Sequence, residues 1–209
     1  PEQKHALVIG GGTGMGEAIA LAFAREGWRV VVAGRRLDKL EDVVRQSSIE
    51  NSIKKHSVDV GDRESVEILF QWFREQVGQL DILVNCAGVN IPDRSMEKLA
   101  PADWDDLIRI NATGAFDCMR CALKDMRPRG DGLIINISSV AGKRAAPLGG
   151  VAYNASKFAM TALGATVAEE VRDSGIRITS IFPGEVNTPI LDNRPEPPPE
   201  MHRQRILQP

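Results

Sequence analysis

The sequence has few of the residues that build metal sites and disulfide frameworks. Its 209 residues include three cysteines and three histidines. The histidines stand apart from one another and from any cluster of cysteines or carboxylates, so the spacing of a zinc site is missing. Cys118 and Cys121 form a C-x-x-C pair, but they lie inside a stretch that predicts a helix, whereas a redox pair normally opens one. We therefore expect no metal site and a reducing, cytoplasmic environment.

Long apolar runs and an excess of basic charge are also missing. The apolar stretches, such as 6–9 and 30–33, have the length of strands and fall well short of the roughly 20 residues of a membrane-spanning helix. The formal net charge is −2, and no candidate helix carries a dense stripe of lysine and arginine. The first five residues lack the basic, apolar and small-residue regions of a secretory signal. The sequence thus predicts no membrane or nucleic-acid partner.

The chain does contain a regular alternation of short β-branched runs and longer amphipathic stretches. Its length and its 43% hydrophobic, 26% charged composition fit one folded domain over residues 1–209. The alternation predicts an α/β fold, a doubly wound parallel sheet covered on both faces. The predicted strands are 6–9, 29–33, 54–58, 82–85, 133–137 and 177–182. The predicted helices are 14–26, 37–49, 63–76, 102–127 with a break near Asn111, and 155–173. Four prolines between 195 and 199 predict that 192–209 forms no regular element.

A glycine-rich turn joins the first predicted strand to the first predicted helix. Residues 10–16 read Gly-Gly-Gly-Thr-Gly-Met-Gly. Glycines let the backbone approach a phosphate closely, and the new helix offers unpaired N–H groups and its positive dipole end. This context favours a dinucleotide site over a tight connection alone. The residues predicted to contact the cofactor here are Gly10, Gly12, Thr13, Gly14, Met15 and Gly16.

The end of the second predicted strand indicates which dinucleotide is bound. An acidic residue there would bind the ribose hydroxyls of NAD, but the sequence reads Ala33-Gly34-Arg35-Arg36. Two guanidiniums offer fork-shaped donors that suit a phosphate dianion. The alternative, solvated arginines that open the next helix, is locally unfavourable because helix starts prefer acids. We therefore predict NADP(H) rather than NAD(H), with Arg35 and Arg36 on the phosphate.

A tyrosine and a lysine lie four residues apart at the predicted start of the last long helix. This spacing places Tyr153, the only tyrosine, and Lys157 on one helical face. A free phenol has a pKa of about 10, so a nearby cation would help it to exchange a proton at neutral pH. Upstream, the fifth predicted strand ends in Ser138-Ser139, which puts a hydroxyl at the carboxyl end of a central strand, where open α/β sheets bind ligands.

Taken together, the chain resembles the short-chain dehydrogenase/reductase family from Leu7 to Pro189. The resemblance rests on six ordered motifs, which are Gly10-x-x-x-Gly14-x-Gly16, Asn85-Cys86-Ala87-Gly88, Asn111, Ser139, Tyr153-x-x-x-Lys157 and Pro183-Gly184-x-Val186-x-Thr188-Pro189. It implies a Rossmann fold with strand order 3-2-1-4-5-6 and a homodimer or homotetramer. It also implies hydride transfer between a nicotinamide and a carbonyl or alcohol carbon of a small molecule, and NADPH favours reduction.

The resemblance further implies a role for each matching residue. Tyr153 would be the general acid in reduction and the base in oxidation, Lys157 would hold the nicotinamide ribose and lower the pKa of Tyr153, and Ser139 would bind the substrate oxygen. Ser139 is preferred over Ser138 because it directly precedes the Val-Ala-Gly turn. Asn111 would sit at a helix distortion and hold a water in a proton relay. Further cofactor contacts are implied for Asp59, Val60, Asn85, Ala87, Gly88, Pro183, Gly184, Val186 and Thr188.

Three departures from the family pattern stand out. Ile9 replaces a common threonine, and Cys86 replaces a second asparagine. Relatives also continue with a helix and a seventh strand, whereas this sequence stops at Pro209, in or just after the substrate loop at 189–209. An alternative function is a catalytically silent NADP-binding regulator, which would have little need of Ser139, Tyr153 and Lys157 together. A sugar-nucleotide epimerase or dehydratase is disfavoured by the glycine spacing and the short C-terminal portion.

Overall fold

The computed structural model describes residues 3–209, so Pro1 and Glu2 of the predicted domain lie outside the described residues. Within this range the strands are β1 (His5–Ile9), β2 (Arg29–Gly34), β3 (Ile53–Ser57), β4 (Ile82–Asn85), β5 (Gly132–Ile137) and β6 (Ile176–Ile181). They form one sheet in the order β3-β2-β1-β4-β5-β6, and every neighbouring pair is parallel. The predicted strand order is confirmed, and residues 3–209 contain no seventh strand.

Helices connect these strands. They are α1 (Gly14–Arg25), α2 (Leu37–Gln46), α3 (Arg63–Gln76), α4 (Pro101–Ile108), α5 (Gly114–Met126), α6 (Val151–Glu170) and α7 (Glu200–Arg203). Asp62 caps α3, because its carboxylate accepts a hydrogen bond from Glu64 N at 3.0 Å. Between α4 and α5 the chain makes one turn of π-helix, Arg109–Thr113, so the predicted break near Asn111 is confirmed.

Helices pack on both faces of the sheet, and each face has its own apolar core. Successive side chains of a strand point to opposite faces. Leu7 and Ile9 of β1 therefore enter one core, together with side chains of α3, α5 and α6. Ala6 and Val8 enter the other core, together with side chains of α1 and α2. Because both faces are covered, the central strands can be almost continuously hydrophobic, which made them easy to find in the sequence.

The ends of two helices and the structure of the tail differ from the predictions. Helix α2 ends at Gln46, three residues before the predicted end, where the Ser47 hydroxyl bonds to Ser52 instead. Helix α6 begins at Val151 rather than 155, directly after Gly150, which has φ +81°. The prediction that 192–209 contains no regular element is wrong, since α7 lies there and a 3₁₀ turn, Pro189–Asn193, leads into it.

The loops that follow β1 and β4 leave the sheet where the strand order reverses, which is where open α/β sheets form a crevice. Across residues 3–209, none of the helices is both long and apolar enough to cross a membrane. The same residues contain no group of three or more histidine, cysteine or carboxylate side chains placed to hold a metal ion.

Candidate active site

The glycine turn after β1 packs against the loop that follows β4. Gly10 has φ +78°, and a Cβ atom there would lie 2.6 Å from the backbone nitrogen of Ala87. A Cβ atom on Gly16 would lie 2.2 Å from the carbonyl oxygen of Gly10. Only glycine fits both positions, so the turn can curl tightly into the start of α1. Thr13 at the N-cap leaves the first N–H groups of α1 without a side-chain acceptor, which suits an anion.

A groove of about 570 Å³ extends from this turn across the edge of the sheet. Its walls include the predicted cofactor contacts Gly10, Gly12, Thr13, Gly14, Met15, Arg35, Arg36, Val60, Ala87, Gly88 and Thr188. Arg35 and Arg36 are exposed, and Arg36 Nη2 donates to Thr13 Oγ1 at 3.2 Å. Lys39, which the sequence analysis missed, adds a third cation to this wall. Its signal was its place in the first turn of α2, four residues after Arg35.

Three predicted cofactor residues line neither this groove nor the cavity that adjoins it. Gly16 packs against Gly10, as described above. Asn85 is buried and its Nδ2 donates to Asn136 Oδ1 at 2.9 Å, so it joins β4 to β5. The Asp59 carboxylate accepts a hydrogen bond from Gly61 N at 2.8 Å and shapes the turn after β3. These residues support the groove from behind or from its rim.

A second cavity of about 210 Å³ adjoins the groove. The two share Met15, Cys86, Gly88, Thr188 and Ile190 as lining residues. The predicted nicotinamide loop enters this cavity rather than the groove, through Pro183, Gly184 and Val186. Ser139, Tyr153 and Lys157 line it as well. The structure thus brings three of the four predicted catalytic side chains to one cavity beside the glycine turn, and the fourth, Asn111, does not line it.

Tyr153 lies in the first turn of α6 and is largely buried. Burial raises the pKa of its phenol above the ordinary value, while the nearby Ser139 side chain and the positive charge of Arg94 act to lower it. The predicted lowering of this pKa by Lys157 stays a prediction. In this structure the phenol therefore holds its proton at neutral pH.

Lys157 lies one helical turn after Tyr153 and is 3% exposed. Its Nζ lies 5.7 Å from the centre of the Tyr153 ring and donates to the Ile137 carbonyl at 2.9 Å. Burial lowers the pKa of Lys157 to about 8, and the neighbouring Cys86 opposes that shift. The ammonium is thus held at the carboxyl end of β5, within the cavity but directed to a backbone oxygen.

The two serines after β5 have different surroundings. Ser138 is buried, with its Oγ 3.3 Å from the Lys157 carbonyl and 3.1 Å from Thr161 Oγ1. Ser139 Oγ accepts from Ala141 N at 3.1 Å and also reaches the Tyr153 phenol. The hydroxyl beside the phenol therefore belongs to Ser139.

Asn111 lies in the π-helical turn and is fully buried. Its Oδ1 accepts from Val89 N at 2.8 Å, and its Nδ2 donates to the Val89 carbonyl at 2.9 Å and to Ser156 Oγ at 3.1 Å. Gly88 separates it from Lys157, because a Cβ atom on Gly88 would lie 3.6 Å from Asn111 Oδ1 and 3.5 Å from Lys157 Nζ. Asn111 thus ties α4 and α5 to the loop after β4 and to α6.

Arg94 is a cavity residue that the sequence analysis missed. It is 6% exposed, and its Nε donates to the Ile91 carbonyl at 2.6 Å and its Nη1 to the Leu148 carbonyl at 3.0 Å. A Cβ atom on Gly150 would lie 2.5 Å from Arg94 Cβ, so this glycine makes room for the arginine. The one signal in the sequence was the Gly149-Gly150 pair before α6, and it does not identify its partner.

Comparison with known proteins gives relatives along nearly the whole chain. A family profile described as short chain dehydrogenase matches residues 4–198. An uncharacterized oxidoreductase of Staphylococcus aureus is 35% identical over 187 residues, which are 90% of this chain and 80% of that protein. The structure of ElxO with NADP bound superposes with a TM-score of 0.85 at 32% identity and covers 91% of this chain and 77% of its own. Actinorhodin polyketide ketoreductase with NADPH gives a TM-score of 0.85 at 31% identity, over 91% and 74% of the two chains.

Proposed function

This chain belongs to the short-chain dehydrogenase family of oxidoreductases, and on that premise we propose that it is an NADP(H)-dependent ketone or aldehyde reductase, or alcohol dehydrogenase. It would transfer a hydride between the nicotinamide and a carbonyl or alcohol carbon of a small organic substrate. The observation that carries the proposal is the meeting of Ser139, Tyr153 and Lys157 in one cavity that adjoins the groove at the glycine turn.

The residues of the groove fit a phosphorylated dinucleotide. The turn at Gly10 and Gly16 leaves no room for a Cβ atom, so the backbone itself can face a pyrophosphate at the start of α1. Arg35, Arg36 and Lys39 line the groove and suit the additional phosphate of NADP(H). NADP in ElxO and NADPH in the ketoreductase support this choice. When bound, the cofactor supplies the hydride.

Tyr153 is the proton donor in the proposed reduction. Its raised pKa keeps the phenol protonated at neutral pH, which is the form that a general acid needs. Ser139, whose side chain acts on the pKa of the same phenol, would hold the substrate oxygen next to it. In the reverse direction Tyr153 would act as the general base, so its phenol must first lose its proton.

Lys157 and Asn111 would serve the proton and the cofactor. Lys157, with its pKa lowered to about 8, can hold a nicotinamide ribose and pass a proton at modest cost. Asn111, in its π-helical turn close to Gly88, would hold a water molecule that passes protons between Lys157 and solvent. The cofactor would be held by the glycine turn, by the loop at 183–188, and by Val60, Ala87 and Gly88. Asp59 and Asn85 would support these segments without lining the groove. We also propose one domain, a substrate loop at 189–209 and a homodimer or homotetramer.

The test is turnover of a panel of ketones and aldehydes, followed by loss of NADPH absorbance, with binding of NADPH and NADH measured by calorimetry. We expect reduction of at least one carbonyl compound and tighter binding of NADPH than of NADH. Equal affinities for the two cofactors would remove the case for Arg35 and Arg36. Tight NADPH binding without turnover of any compound would instead favour the silent regulator.

A further inference from the structure

The cavity around Tyr153 carries more positive than negative side chains. Its charged lining residues are Arg94, Arg144, Lys157, Glu185 and Arg194. The one carboxylate, Glu185, already accepts hydrogen bonds from Arg194 Nη2 and contacts His202 Nε2, each at 2.6 Å. These partners lower the pKa of Glu185. Glu185 therefore balances Arg194 and leaves the other cations of the cavity without a counter-charge.

Arg94 is the arginine of the cavity with the least access to water. It is 6% exposed, and none of the ion pairs within residues 3–209 includes it. Its three acceptors are the carbonyl oxygens of Ile91, Leu148 and Asn193. Carbonyl oxygens satisfy N–H groups but carry no full charge, so the guanidinium is hydrogen-bonded and still electrically uncompensated.

The hydrogen bonds of Arg94 leave part of its guanidinium available. A guanidinium has five N–H groups, and three are used here. Because Nη1 and Nη2 each donate once in the described structure, one N–H of each remains. Two N–H groups on neighbouring nitrogens match the two oxygens of a carboxylate. Burial and the nearby Arg194 both lower the pKa of Arg94, and an anion in the cavity would oppose these effects.

Arg94 lies in the same cavity as Tyr153, so an anion bound to Arg94 would be close to the reacting group. Its three acceptors belong to three loops that surround the cavity, after β4, before α6 and after β6. Its charge also reaches the Tyr153 phenol. A cavity of about 210 Å³ suits a small molecule. One molecule can therefore place a carbonyl at Tyr153 and an anionic group at Arg94.

We propose that the substrate is a small carbonyl or hydroxy acid, whose carboxylate is bound by Arg94 while its carbonyl or hydroxyl oxygen contacts Tyr153 and Ser139. This assignment rests on the proposed function. It narrows the substrate class from carbonyl compounds in general to those with a carboxylate a few bonds from the reacting carbon. The carboxylate is unchanged by the reaction, which still consists of one hydride to carbon and one proton to oxygen.

The test compares small keto acids with their methyl esters of equal chain length, using NADPH. We expect kcat/KM to be at least tenfold higher for the acid. Arg94→Gln should lower kcat/KM of the acid by roughly 10- to 100-fold, mainly through KM, and should change that of the ester much less. Arg94→Lys, which keeps the charge but not the fork, should retain part of the preference. Arg127→Gln is the matched control, because Arg127 is exposed and lies outside the cavity.

Binding measured by calorimetry in the presence of NADP⁺ tests the anion site without turnover. The acid should bind more tightly than the ester, and added salt should weaken this preference. Equal values for acid and ester in the wild type, or an equal loss of both in Arg94→Gln with retained folding, would overturn the anion site and leave Arg94 as a clamp on three loops. Failure of the proposed function looks different, since neither compound would be reduced.

Discussion

Two halves of the molecule offer different groups to a ligand. We call His5–Gln76 the nucleotide half and the part that contains β4–β6 and their loops the substrate half, after the roles proposed for them. The nucleotide half offers the backbone N–H groups of the turn at Gly10–Gly16 and solvent-exposed cations. The substrate half offers polar side chains that are almost fully buried, among them Asn111, Lys157 and Arg94. The first half depends on short stretches of sequence, and the second depends on segments that meet only after folding.

This difference has an energetic side. A cation in water loses little when the protein folds, and it gains when a phosphate arrives. A buried cation destabilises the fold until a ligand of opposite charge binds to it or the cation loses its proton. Lys157, with its pKa lowered to about 8, and Arg94, without a carboxylate, are both of this second kind. We infer that the substrate half carries destabilising features that the nucleotide half lacks, and the following four changes test that contrast.

The largest effect is expected from Tyr153→Phe. Loss of the phenol removes the general acid, so turnover should fall by roughly 10²- to 10⁴-fold. The affinity for NADPH, measured by calorimetry, should change less than about threefold, because phenylalanine keeps the packing of the ring. Unchanged turnover would remove Tyr153 from the mechanism. A large loss of NADPH affinity would show that cofactor binding also depends on this residue of the substrate half.

The next effect is on stability, in Lys157→Met without cofactor. The folded pKa of Lys157 lies below its unfolded value of 10.5, so the charged lysine destabilises the fold at all pH values below about 8. The variant should be more stable there by up to about 3 kcal/mol, less the lost bond to Ile137. This advantage should shrink as the pH rises from 8 toward 10.5, measured by urea unfolding. An advantage that does not change with pH would contradict burial as the cause.

A smaller effect on stability is expected in the nucleotide half from Gly10→Ala. The new Cβ would lie 2.6 Å from Ala87 N, at a residue with φ +78°, so the turn must shift. We expect a loss of about 2 kcal/mol in the free energy of unfolding and weaker NADPH binding. Gly34→Ala is the control, because its Cβ would meet only Leu40 Cδ2 at 3.8 Å. Equal losses in the two variants would show that the packing of the turn is not the cause.

The smallest effect is expected from Arg36→Ser. An exposed guanidinium on a phosphate should contribute about 1.5 kcal/mol, so the affinity for NADPH should fall roughly tenfold while that for NADH stays the same. Arg45→Ser, in helix α2, lies outside the groove and should leave both affinities unchanged. A parallel loss for NADH would indicate that Arg36 acts on the turn, through Thr13, rather than on the phosphate.

The strands and the motifs were predictable because their signals are local. Each strand end was predicted within one residue, since apolar runs covered on both faces stand out from amphipathic helices. The glycine turn and the pair of Tyr153 and Lys157 were proposed as site residues from their spacing and from their place relative to the predicted strands and helices, and their roles stay predictions. The start of α6 at Val151 was not predicted, because Val151 N donates to the Arg94 carbonyl, a contact between distant segments.

The side chains that fill the substrate half were harder to predict for the same reason. Arg94 has no motif, and its three acceptors come from parts of the chain up to 99 residues away. Asn85 was assigned to the cofactor from its motif, but it bonds to Asn136 across the sheet. The tail was taken as irregular from its prolines, yet Arg203 reaches back to Asp192 and organises it. In each case a tertiary contact decided the outcome.

The π-helical turn at Arg109–Thr113 also acts on the phase of the two helices that it joins. Its defining bond runs from Gly114 N to the Arg109 carbonyl, five residues back instead of four. One extra residue in a helix rotates everything after it by about 100°. Helix α5 can therefore turn Cys118, Ala122 and Met126 to the sheet while Asn111 points to the loop after β4. Deleting one residue here would allow a regular α-helix. It would also rotate either the side chain of Asn111 away from the loop after β4 or the apolar side chains of α5 away from the sheet.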